Sequence, residues 1–145
     1  MCRVTIGIWR ERILELGNHT DFDHLEDERY IQLTTFRRSG VPVHTAVWHV
    51  VVDGVLFVHT GDQTGKAKRL RANGSAEVAA SDARGRITGE TVQVTGTSLN
   101  GEDPQRIETA FRDKYGWQYR AVGATSGLRK KKIGETTHFR FVAGD

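Results

Sequence analysis

The sequence predicts a mainly β chain with small helices, folded as an antiparallel barrel. Three observations lead there. Asp53-Gly54 lies between two apolar runs, the pattern of a tight hairpin turn. Both faces of that hairpin are apolar, with Trp48, Val50, Val52, Val55 and Phe57 on one and Val47, Val51, Leu56 and Val58 on the other, unlike a sheet wet on one side. No Gly-x-Gly-x-x-Gly follows a strand and the strands pair as hairpins, so a doubly wound dinucleotide fold is excluded.

Taken in order, Met1 to Asn18 carries Ile6, Trp9, Ile13 and Leu16 at roughly helical spacing, and residues 1–22 read as an amphipathic extension ahead of one domain, 23–145. Asp21 can cap a brief helix through Glu28. Tyr30 to Phe36 alternates and is rich in branched and aromatic residues, so the first strand begins there. Arg37-Arg38-Ser39-Gly40 is a turn, and Val43 to Val52 forms one long strand that reverses into Val55 to Thr60. A two-residue turn sets Trp48 opposite His59, His49 opposite Val58 and Val50 opposite Phe57. The core covers one face of this hairpin, and the other must meet a ligand, another element or another subunit. A dimer interface is the expectation.

Thr64 can cap a helix from Gly65 to Ala72, with Asn73-Gly74 as a left-handed stop. Ser75 to Ser81 and Glu90 to Leu99 are strands, with Gly96 a bulge or bend in the second. Asp103-Pro104 opens a helix whose apolar stripe is Ile107, Ala110, Phe111 and Tyr115, closed by Gly116. Thr136 to Val142 is the last strand, and Gly123 to Lys132 is a basic loop that either folds over an anion or is solvated.

Composition narrows the function classes. The chain has 145 residues and a net charge of +3, with basic clusters at Lys66 to Arg71 and Arg129 to Lys132. This favours small anionic ligands over a nucleic-acid coat, and the clusters lack the interleaved aromatics that stack bases. Cys2 is the only cysteine, which removes an intrachain disulfide and a Cys-based zinc site. The six histidines form no His-Glu-x-x-His pattern, so no metal site is expected. No stretch is long and apolar enough to span a bilayer, and a soluble, cytoplasmic protein is expected.

One segment carries chemistry. Thr60-Gly61-Asp62-Gln63-Thr64-Gly65-Lys66-Ala67-Lys68-Arg69-Leu70-Arg71 joins an apolar strand to a cationic helix. Amides freed by glycine, the Thr60 and Thr64 hydroxyls and a helix start all favour an anion, and Lys66 adds a full charge. Lys68 and Arg69 can assist, whereas Arg71 is expected in solvent. An ordinary basic surface helix is the competing reading.

The run Leu33-Thr-Thr-Phe-Arg-Arg-Ser-Gly40, Ala46-Val-Trp48, Asp53-Gly54 and Thr60-Gly61 through Gly65-Lys66 to Leu70 resembles the flavin and deazaflavin split-barrel superfamily. It is similar in particular to the pyridoxamine-5'-phosphate-oxidase-like proteins of actinobacteria that use coenzyme F420. The likeness continues through Asp82-Ala-Arg-Gly85, Val92 to Leu99 and Lys114-Tyr-Gly-Trp117. It implies a six-stranded split barrel, a homodimer, and a cofactor in a groove between subunits. Its phosphate would meet Thr60, Gly61, Thr64, Gly65, Lys66, Lys68 and Arg69. Its ring would lie along Thr45, Ala46, Val47, Trp48 and His49, whose strand amides could bond the pyrimidine edge. Relatives often carry proline at the place of Ala46 and an aromatic at that of His49. The strand Arg and Lys of the pyridoxal-phosphate-forming enzymes are replaced by Thr45 and Val50. The implied activity is therefore hydride transfer from reduced deazaflavin to an unsaturated or quinone-like molecule. FMN on the same barrel, or a carrier without turnover, are the alternatives.

Overall fold

The computed structural model describes residues 22–99, 101–123 and 134–144. The strands are β1 (Tyr30–Phe36), β2 (Pro42–Val47), β3 (His49–Val52), β4 (Val55–Gly61), β5 (Ser75–Ser81), β6 (Ile87–Ser98) and β7 (Thr136–Ala143). The helices are α1 (Gly65–Ala72), α2 (Pro104–Tyr115) and α3 (Trp117–Gly123). All strand pairs are antiparallel, in the order β2-β1-β5-β6-β7-β4-β3.

The sheet has seven strands where six were expected, and the reason is local. The predicted strand Val43 to Val52 breaks at Trp48: Val47 pairs with Ile31 of β1, while His49 pairs with Val58 of β4. The two ends of the sheet are thus consecutive pieces of one chain segment, which brings them together and makes the sheet a barrel. The predicted hairpin register holds, and the His59 amide donates to the Trp48 carbonyl at 3.4 Å. Asp53 and Gly54 have φ of 51° and 80°, the double positive that suits a two-residue hairpin turn.

Both apolar faces of the hairpin are covered within the chain. Val47, Leu56 and Val58 enter the barrel core with Ile31, Leu33, Phe139 and Phe141. Val50 and Phe57 pack instead beneath Ile107, Phe111 and Tyr115 of α2 and Tyr119 of α3, with Trp48, Val52 and Val55 at the margin. Each such buried side chain contributes about 1.5–3 kcal/mol. Of the three covers expected for the second face, a ligand, another element or another subunit, the chain's own amphipathic helix α2 fills the place over Val50 and Phe57.

Other expectations are refined. Thr64 caps α1, its hydroxyl accepting from the Ala67 amide at 3.3 Å, and Ala67 and Leu70 face the core. Asn73 is extended at φ −152° and ψ 107°, not left-handed, and its side chain accepts from the Ser75 amide. Gly74 is needed for contact, since a Cβ there would lie 2.5 Å from the Gly96 carbonyl oxygen. Gly96 is no bulge: its pairing with Phe141 is in register, and the Phe141 ring occupies the space of its missing Cβ. The irregularity falls between Ala79 and Ser81. The helix expected through Glu28 is one 3-10 turn, Asp23–Leu25, and α3 was not anticipated. Asp21, the extension up to residue 21 and the basic segment 124–133 lie outside the described residues. Among the described residues no helix is long and apolar enough to cross a membrane.

Candidate functional site

At the end of β4 the chain turns from Gly61 into α1 and makes a corner rich in hydrogen-bond donors. Thr60 is buried, and its hydroxyl lies 3.1 Å from that of Thr64. The Thr64 hydroxyl in turn donates to the Gly61 carbonyl at 2.8 Å while capping the helix. With Ala67 and Lys68 bonded back to Thr64, the amides of Gly65 and Lys66 have no acceptor within the helix and head its positive end. Lys66 is half-buried, and desolvation, aided by Arg69, pulls its ammonium below the usual lysine range. A cation held at this disadvantage gains most from an anion alongside.

Arg69 continues the corner into a larger cleft. Its Nε donates to the Thr35 hydroxyl at 2.7 Å, and its guanidinium lies over Gly65, where a Cβ would sit 2.8 Å from Nη1. Beyond it opens a cleft of about 490 Å³ lined by Phe36, Arg37, Arg38, Lys68, Arg69, Ala72 and Asn73. Four of these are cationic, and among the described residues no carboxylate makes an ion pair with any of them. Desolvation and the neighbouring Arg37 charge both lower the Arg69 pKa. Arg71 points elsewhere: it is exposed, as expected, and donates to the Asp62 carbonyl at 2.7 Å.

The second expected group, Thr45 to His49, is spread over three environments. Thr45 and Ala46 are half-exposed on edge strand β2, while Val47 points into the core. Trp48 stacks on Tyr115 with ring centroids 4.6 Å apart at 16°. The His49 side chain is fully buried: Nε2 bonds the Leu25 carbonyl at 2.6 Å, and Nδ1 has no partner among the described residues. Burial, then the Lys114 charge, lower its pKa to about 4. Its ring is enclosed within the fold, and its backbone amide is taken by the Tyr115 hydroxyl at 2.9 Å.

Between these groups His59 links the corner to the helices. Its Nδ1 lies 3.3 Å from the Tyr119 hydroxyl, which lies 3.5 Å from His138 Nε2, itself 3.7 Å from Glu108. Desolvation, His138 and Lys66 together lower the His59 pKa to about 4, and His138 is lowered by burial against the opposing pull of Glu108. Among the described residues no group of histidines and carboxylates is arranged to hold a metal.

The structure thus unites Thr60, Gly61, Thr64, Gly65, Lys66 and Arg69 and assigns Lys68 to the adjoining cleft, whose lining includes none of Thr45 to His49. Sequence reasoning missed Thr35, Arg37 and Arg38. The signal was present as an Arg-Arg pair closing a strand, but only the packing of β1 beside α1 brings it to Lys68.

Comparison with known proteins agrees with this architecture. No curated protein matches the chain. Among solved structures, the heme storage protein HutZ from Vibrio cholerae is similar at 12% identity and a TM-score of 0.61, over 81% of this chain and 83% of that one. A conserved hypothetical protein from Mycobacterium tuberculosis shares 20% identity at a TM-score of 0.55, over 95% and 82%. An FAD-binding protein from Mesorhizobium loti shares 12% at 0.54, over 80% and 82%. At such identities the likeness is one of fold, the split barrel. The family described as pyridoxamine 5'-phosphate oxidase matches residues 19–142, and since that span takes in the barrel, the corner and the cleft, the chain belongs to this family.

Proposed function

We propose that the chain is a coenzyme F420-dependent oxidoreductase acting on an unsaturated or quinone-like substrate. The observation that carries this reading is the juxtaposition of two cationic places. The corner of Thr60, Gly65 and Lys66 offers one phosphate its amides, hydroxyl and charge, which would satisfy FMN. The neighbouring cleft, with Arg37, Arg38, Lys68 and Arg69 and no opposing carboxylate among the described residues, asks for further acidic groups on the same ligand. F420, with an acidic tail beyond its phosphate, supplies them.

In this reading the corner anchors the phosphate, the cleft holds the tail, and Thr45, Ala46 and Trp48 border the ring. A second copy of the chain completes the groove, and the lone cysteine suits a reducing cytoplasm. The bound deazaflavin supplies two-electron hydride chemistry. The chain's own residues bind, orient and shield it: half-buried Lys66 is poised for an anion, and Trp48 holds an aromatic wall backed by Tyr115.

Titration with F420, FMN and heme tests the proposal, followed by an assay of reduced F420 consumption with quinone and enone acceptors. F420 should bind most tightly and be consumed. Tighter binding of FMN or heme would overturn the cofactor assignment, and binding without turnover of any acceptor would establish a carrier. Lys66→Ala should weaken F420 binding by about tenfold or more, equivalent to ~1.4 kcal/mol. Arg71→Ala should barely change it, because that guanidinium is engaged by the Asp62 carbonyl.

A further inference from the structure

The barrel seam depends on one hydroxyl. At Trp48 the chain changes partners, leaving β1 and joining β4, and since His49 begins an edge strand its outward amide and carbonyl have no strand beside them. Tyr115 Oη, reaching in from the last turn of α2, accepts from the His49 amide at 2.9 Å. The same oxygen lies 3.0 Å from the His49 carbonyl and 2.9 Å from the Arg29 carbonyl, either of which takes its proton. Arg29 directly precedes β1. A single buried phenol therefore joins the entrance of the strand that holds β2 to the first residue of the strand that pairs with β4.

This matters because the two ends of the proposed ligand hang on opposite sides of the seam. Thr45 and Ala46 belong to β2, held by β1, whereas Thr60 and Gly61 belong to β4 and lead into α1. Around the rest of the barrel the two are tied through β1, which pairs with β2 and meets Arg69 of α1 at Thr35. At the seam, the distance between ring strand and phosphate corner is set by the hinge at Trp48. Tyr115 fixes it twice, through its hydroxyl and by stacking on the Trp48 ring at 4.6 Å. Arg29 and Lys114 lie over the Tyr115 ring at 5.1 and 5.4 Å and confine it further. Burial raises the phenol to about 12, so it remains a donor at any working pH.

We infer that Tyr115 is a positioning residue that sets the span between the anion corner and the ring-bearing strand. The inference rests on the cofactor reading above and concerns ligands that must reach both places. Inorganic phosphate, which needs only the corner, is the internal control.

Tyr115→Phe in the full-length protein tests this, since it keeps the stack and removes the hydroxyl. F420 affinity should fall about tenfold and the absorption band of bound F420 should shift, because a small misplacement costs a ligand held at two points. Phosphate affinity should stay within about twofold, and the His49 amide should exchange with solvent faster. F420 affinity and spectrum unchanged from wild type would overturn the inference, as would an equal loss of phosphate binding. Should the variant not fold, wild-type amide resonances decide: those of Trp48 and His49 must move on adding F420 and stay on adding phosphate, and immobility with F420 would refute the role. Wild-type protein that binds neither F420 nor FMN would instead defeat the cofactor reading itself.

Discussion

At the scale of single residues, the buried histidines make the clearest prediction. His49 and His59 are both held neutral in the folded chain, with pKa values of about 4, chiefly by desolvation. An unfolded chain's imidazoles charge near pH 6.5. As pH falls from 6.5 toward 4 the unfolded state takes up protons that the folded state refuses, so stability declines through that window. For fully buried His49 the loss is of order 3 kcal/mol by pH 4. Urea unfolding at successive pH values should show this decline, and His49→Gln should flatten it. Arg69 carries a second residue-scale lesson. Gly65→Ala would crowd Nη1, yet that atom is the end of a flexible side chain, so the fold should tolerate the change while Arg69 swings toward the cleft.

At the scale of elements, α1 is held by its cap and by glycine at a distance. Thr64→Ala removes the oxygen that accepts the Ala67 amide and should cost about 1 kcal/mol in thermal or chemical unfolding. Gly74→Ala should cost more, about 1–3 kcal/mol, because its Cβ would meet the backbone oxygen of Gly96, which has little freedom to retreat. These elements also mark what the sequence could tell. Local chemistry made the turn at Asp53-Gly54, the Thr64 cap and the Gly116 stop legible, and each is present. Contacts between distant residues were not legible. Gly96 looked like a bulge because its reason, the Phe141 ring, lies far along the chain. Tyr115 was readable as a core position of α2, but nothing near it in sequence indicated that its hydroxyl serves His49. Arg37 and Arg38 looked like turn residues for the same reason.

At the scale of the whole molecule, the modest net charge of +3 conceals a concentrated field at one end of the barrel. Anion binding there should therefore depend on salt, with affinity for F420 falling about tenfold between 0.05 and 0.5 M salt. An affinity indifferent to salt would mean that the four cations of the cleft do not hold the ligand. The global topology followed from one local fact, the doubly apolar hairpin, whose second face α2 covers. That same hairpin poses a problem of fidelity. In most strands a slip by one residue exposes the apolar set and is rejected, but here it exchanges one apolar set for another. Burial alone cannot proofread the pairing of β3 with β4. The task passes to two directional devices: the Asp53-Gly54 turn, whose backbone admits one loop length, and the Tyr115 hydroxyl, which recognises one amide. A chain lacking both would still collapse, and would have two nearly equivalent ways to do so.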